Sequence, residues 1–272
     1  MTVRGLSWWR AAGLLAALLA LVGIGVSLAL SGRVYGAETI VLADAAIAQD
    51  LVGIPVALGL VILDRVPGTA ARSVWLGALG FFAYNYAIYA FSLHFGPLFL
   101  VWVAVLGLST FGALGGLVQI LGEERPPAAG RATGWYLVGA AVLFTLLWLS
   151  EILPDMVAGR ASTSASTWLV PTNPVHVLDL AFFLPATAVA GVAVLRRSPG
   201  GALLALPALT WLALTCVPIF VTPLVAIARG HVASFAVYGP IGVVFAASVV
   251  FLTLELRRLR TAAVAPAAGA TV

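Results

Sequence analysis

Eight apolar stretches recur along the chain, at roughly 11–30, 46–63, 73–92, 97–121, 133–151, 175–195, 201–221 and 233–255. A bilayer core about 30 Å thick takes about 20 apolar residues in a helix. A segment in lipid has no water to bond its backbone, so it must close its own hydrogen bonds, as a helix does. The pattern predicts an all-α fold, a polytopic transmembrane helical bundle of about eight helices, as one domain over residues 1–260. The chain is 62% hydrophobic and only 9% charged, whereas soluble domains run near a quarter charged. The second stretch is short and ends in Asp64-Arg65. The seventh carries Pro207, Pro218 and Pro223, which predict a kink or a break. Arg4 and Arg10 precede the first stretch as in a signal peptide, but its length favours an uncleaved helix.

The arginines alternate from loop to loop. With the N-terminus in the cytoplasm, every arginine except Arg33, Arg160 and Arg229 falls in a cytoplasmic segment. The positive-inside rule therefore predicts a multi-pass protein of the cell membrane with both termini cytoplasmic, and favours an even helix count. Asp64, Glu123, Glu124 and Glu255 fall inside. Glu38, Asp44, Asp50, Glu151, Asp155 and Asp179 fall outside or at outer helix ends. The residues from Thr261 are rich in Ala and Pro and are expected to be a disordered cytoplasmic tail, 261–272. The outer loop 152–174, with its Ser/Thr run, is either a lid or a flexible connection.

Several functions are excluded. The chain has no lysine, so no retinal Schiff base can form. Its single cysteine, Cys216, rules out an intramolecular disulfide and a multi-Cys metal site. The basic residues sit in separate short loops rather than one patch, which argues against nucleic acid as a partner. The three histidines all fall on the outer side, so two hemes cannot be stacked across the membrane. No cofactor is predicted from a motif.

Polar side chains within the hydrocarbon need a partner or a wet cavity. Gln49 and Asp50 are expected to start the second helix, and Glu151 to close the fifth. Asn85, Tyr89 and Ser92 share one face of the third. The tyrosines there read either as site residues or as an interfacial belt. His176 and Asp179, three residues apart, share a face of the sixth. The candidate ligand-binding set is Asp50, Asn85, Tyr89, His94, Glu151, His176 and Asp179. Within it, His176, Asp179, His94 and Glu151 have the mixed N/O chemistry that a divalent metal accepts. Gly112-x-x-x-Gly116 reads as a close helix contact.

Asp50-Leu51, Pro55 and Leu63-Asp64-Arg65-Val66-Pro67-Gly68 have a counterpart in Asp179-Leu180, Pro185 and Leu195-Arg196-Arg197-Ser198-Pro199-Gly200. This suggests a parallel four-plus-four repeat, with halves 1–125 and 130–260 and Asp50 equivalent to Asp179. The strings Gln49-Asp50-Leu51-Val52-Gly53-Ile54-Pro55, Tyr84-Asn85-Tyr86-Ala87, Gly96-Pro97-Leu98-Phe99-Leu100 and Asn173-Pro174 with Asp179-Leu180 resemble a set of uncharacterised multi-spanning bacterial membrane proteins. That resemblance covers helices two to six and implies topology alone. The Lys-free, Ala/Arg-rich composition is similar to that of actinobacterial proteins.

Three functions fit the sequence. The first is binding or transport of a small molecule or cation in an outer-side polar pocket, with helices broken at Pro55, Pro185, Pro218 and Pro240 as moving parts. The second is a membrane-embedded enzyme acting on a lipid or quinone-like substrate, which requires His176, Asp179, His94 and Glu151 to converge. The third is an accessory subunit without a site, which requires a dry, tightly packed outer half.

Overall fold

The computed structural model describes residues 7–123 and 128–264. Eight of its helices are long and apolar enough to cross a membrane: α1 (Trp8–Ala29), α2 (Ile40–Leu63), α3 (Thr69–Ser92), α4 (Phe99–Glu123), α5 (Arg131–Val157), α6 (Pro174–Leu195), α7 (Gly201–Ala228) and α8 (Tyr238–Val264). The protein is an integral membrane bundle. Arg4, Glu124 and Arg125 lie outside the described residues.

The helices form two groups of four. In the first, α1 packs on α2, α2 on α3, α3 on α4, and α4 returns to α1. In the second, α5 packs on α6, α6 on α7 and α7 on α8. Tyr136 of α5 closes that group by donating to the Val244 carbonyl and pairing with Ser248 of α8. The closures differ: α4 packs along α1 in the first group, whereas α5 reaches α8 in the second through this Tyr136 contact. The groups meet where α7 packs on α2 and α3. α3 is the most enclosed helix, and α5 and α8 the least. Phe91, Leu100, Val118, Phe182 and Val243 are among the large apolar side chains left exposed on the outside, where lipid is the solvent.

Small residues set the close approaches. A Cβ built at Gly112 would lie 3.2 Å from the Trp9 carbonyl oxygen, and one at Gly116 2.6 Å from Leu76 Cδ2, so the Gly112/Gly116 pair is the helix contact its spacing implies. At the α5–α6 crossing, a Cβ on Gly191 would lie 2.8 Å from the Gly134 carbonyl oxygen.

Several boundaries differ from expectation. α2 begins at Ile40, so Asp50 sits near the middle of its helix rather than at its start, about 15 Å in at 1.5 Å per residue. The reason is Asp44, whose charge interrupts the apolar run but is bonded by Arg229 and His231. α5 continues to Val157, so Glu151 lies inside it. α7 runs unbroken through all three prolines, and α2 through Pro55. Pro240 falls in the first turn of α8, where a missing N–H costs nothing. Only near Pro185 does the winding change: Asp179–Phe183 is a π-turn, because Pro185 offers no N–H to the Ala181 carbonyl. The tail is helical as far as Val264, correcting the expected disorder from residue 261; residues 265–272 lie outside the described residues.

Candidate functional site

One end of the bundle carries most of the arginines and the other most of the acids. Most acids are spoken for. Glu38 takes both the backbone N–H and the ring of His94, at 2.7 and 3.0 Å. Asp44 binds Arg229 at 2.5 Å and His231 at 2.8 Å. Asp64 holds Arg10 at 2.7 and 2.9 Å, Glu151 faces His176 at 3.4 Å, Asp155 binds Arg160 at 2.7 Å, and Glu255 binds Arg258 at 3.1 Å. Among the acids whose side chains are described, only Asp50 and Asp179 lack a basic partner. They are 3% and 6% exposed, which places the two uncompensated carboxylates deep inside the bundle.

The π-turn presents Asp179 to Trp148 of α5, whose indole N–H donates to Oδ2 at 2.8 Å. The Tyr84 phenol of α3 stands beside the same carboxylate. The other oxygen, Oδ1, is buried and has no partner. It borders a cavity of about 260 Å³ between the two groups of helices. Five aromatic residues wall the cavity: Tyr84, Phe144, Trp148, Trp168 and Trp211. Asp179 is the one charged residue in its lining. Gln49, Asn85, Thr215 and Thr222 supply the remaining polar groups, with Cys216 among them. Four polar atoms in this lining are buried and unbonded: Gln49 Oε1, Asn85 Nδ2, Asp179 Oδ1 and Trp211 Nε1. A buried polar group with no partner costs about 1–3 kcal/mol, and here four of them belong to residues that line one space. The apolar walls and few convergent polar groups are those of a ligand pocket.

The loop after α5 packs over the acidic end of the cavity. Asp155 accepts from the Thr163 N–H at 2.8 Å, Ser162 caps the short helix Thr163–Trp168, and Trp168 lines the cavity.

Gln49 and Asn85 also line a second, much smaller void, of about 10 Å³, together with Asp50, Tyr86 and Tyr89. Asp50 Oδ2 accepts from Ser27 of α1 and, at 2.6 Å, from Tyr35 in the α1–α2 connection. Oδ1 accepts from Tyr89 of α3 at 3.1 Å. Burial, reinforced by the Asp50 carboxylate, holds the Tyr35 phenol above its ordinary range, so it stays a neutral donor.

The sequence candidates are thus divided. Asp50, Asn85 and Tyr89 come together, and Asn85 joins them to Asp179. His176 and Glu151 pair with each other on the far side of Trp148, whose ring lies 4.7 Å from the His176 ring. His94 stands apart with Glu38. The four-residue convergence that a metal-dependent enzyme would need does not form, and no group of three or more His, Cys, Asp or Glu suited to a metal occurs among the described residues. Tyr84, Tyr86 and Tyr89 are buried and do not form an interfacial belt. Trp148, Trp211, Tyr35 and Ser27 were not predicted. For the two tryptophans the one signal was an indole in the middle of an apolar stretch, since a buried indole N–H seeks an acceptor; Tyr35 and Ser27 gave none. No protein-family model, no curated protein and no solved structure matches this chain.

Proposed function

We propose that this protein binds a small organic cation in the aromatic cavity at Asp179 and carries it across the membrane. The observation that supports the reading is Asp179 itself: a buried carboxylate with one oxygen free, no basic partner, and five aromatic residues around the space it faces. A carboxylate held this way is costly unless a positive charge joins it. An ammonium seated against aromatic faces gains about 0.5–2 kcal/mol in addition. Gln49 Oε1 offers the cation a second acceptor, while Asn85 Nδ2 and Trp211 Nε1 call for an acceptor on the ligand, such as a hydroxyl or carbonyl. By the positive-inside rule the acidic end faces outward, so the cation arrives from outside beneath the Trp168 cover. Two groups of helices meeting at the cavity suit alternating access.

Asp179→Asn tests the reading with and without ligand. In purified protein, phenethylamine should change the tryptophan fluorescence, the uncharged 2-phenylethanol should do so at least tenfold more weakly, and Asp179→Asn should lose the preference. Without ligand, Asp179→Asn is expected to raise stability by about 1 kcal/mol, a rise in Tm of roughly 2–4 °C, because the amide keeps the Trp148 bond and removes the uncompensated charge. A fall in Tm would mean that Asp179 already has its counter-charge and is not waiting for one.

A further inference from the structure

The second uncompensated carboxylate, Asp50, is built differently from the first. No open cavity of ligand size adjoins it. The void beside it holds about one water. Its partners are hydroxyls rather than N–H groups, and two of them have a second acceptor within reach. Ser27 Oγ lies 3.0 Å from the Ile24 carbonyl oxygen, and Tyr89 OH lies 2.7 Å from the Ala46 carbonyl oxygen. Each hydroxyl has a single hydrogen and must choose. With Asp50 ionised, both can point at the carboxylate. With Asp50 protonated, each can turn to its backbone carbonyl, and an oxygen lone pair then accepts the acid hydrogen. Neither state leaves a buried hydrogen-bonding group orphaned, which is the condition a carboxyl must meet to change charge away from water.

We infer that Asp50 is a proton-binding site and that its proton is exchanged for the cation bound at Asp179. The exchange half of this inference rests on the cation reading above; the proton site does not. The titratable groups facing Asp50 are phenols: Tyr35 from the connection, and Tyr86 and Tyr89 from α3. α1 contributes Ser27. α7, packed on α2, carries no charged residue, and its titratable Cys216 faces the larger cavity. On α2 itself, Asp44 lies nearer the acidic end and is held by Arg229 and His231. Only Gln49 and Asn85 line both spaces, so a cation in the cavity lies one side-chain layer from Asp50. A positive charge there favours the ionised carboxylate. The protonated carboxyl therefore releases its proton to water as the cation seats, one positive charge leaving for each that arrives. Linkage makes the effect reciprocal, so acid weakens cation binding.

The test uses the full chain in lipid vesicles. Infrared titration should show a carboxylic acid C=O band that grows on acidification, is absent in Asp50→Asn and persists in Asp179→Asn. An unchanged band in Asp50→Asn overturns the proton site. Tyr89→Phe, which removes one donor to the anion but keeps the ring, should move the band's midpoint to higher pH by raising the affinity for the proton; a midpoint that does not move also counts against it. For the exchange, phenethylamine added to weakly buffered wild type should release protons, while Asp50→Asn should bind the amine and release none. Binding without release in the wild type overturns the exchange and leaves the cation reading standing. No binding in the wild type overturns the cation reading, while the infrared titration still decides the proton site.

Discussion

A single methyl group added at Gly77 is expected to destabilise the protein by about 1–3 kcal/mol, and Gly77→Val to prevent its accumulation as a folded species. Gly77 lies where α3 crosses α7. A Cβ there would fall 2.5 Å from Thr210 Cβ and 2.7 Å from the Pro207 carbonyl oxygen. Neither can give way cheaply. One is backbone, beside a proline ring that stiffens the turn. The other belongs to a β-branched side chain whose hydroxyl bonds the Leu206 carbonyl at 2.9 Å. The helices must separate instead, and this crossing joins the two groups of helices. Tyr84 and Asn85 lie about two turns further along α3, so the cavity should widen as well. Cys216, the one cysteine, is buried, so thermal unfolding can be followed with a thiol-reactive dye. Gly77→Ala should lower Tm by roughly 2–4 °C for each kcal/mol lost. Gly107→Ala is the control: nothing lies within 4 Å of its added Cβ, and alanine is favoured over glycine in a helix by about 1 kcal/mol. A Gly77→Ala protein as stable as the Gly107→Ala one would show that the crossing is not close-packed.

Whatever one segment determines alone was legible in the sequence. The helices follow from apolar runs long enough to span, and the Gly112 contact from small residues at helical spacing. Asp50 and Asp179 stood out because a carboxylate is expensive in an apolar run. Pairings between distant segments were hidden. Asp44 shortened the expected second helix because nothing nearby shows that Arg229 and His231 will meet it. The three histidines formed no common site because each found a different acid: Glu38, Glu151 and Asp44. Trp148 as donor to Asp179 could not be read, since the two belong to different helices and meet through the π-turn at Asp179–Phe183. Which polar atoms end up unbonded is legible only after packing. Gln49, Asn85 and Trp211 resemble many other polar or aromatic residues in a span until their neighbours are placed.

Asp44→Ala is expected to destabilise the protein by about 2 kcal/mol and to release the connection between α7 and α8. Asp44 is 3% exposed and bonds two residues that follow the end of α7, Arg229 at 2.5 Å and His231 at 2.8 Å. Removing it strands both. Breaking a fully buried pair costs roughly 3–5 kcal/mol; the Arg229 side chain is 40% exposed, and water there recovers part of the loss. The pair also ties the end of α7 to α2 at the residue before Ala45 and five before Gln49, both in the cavity lining, so amide exchange over 229–237 and around Gln49 should quicken together. A double-mutant cycle isolates the interaction: in an Arg229→Ala background, Asp44→Ala should cost clearly less than in the wild type. Equal costs would mean that the contact contributes nothing to holding the connection. The sign is the informative part. Loss of charge at Asp44, a compensated carboxylate, should lower Tm, whereas loss of charge at Asp179 should raise it. That opposition is expected only if the chain itself neutralises the first carboxylate and leaves the second for a cation from outside.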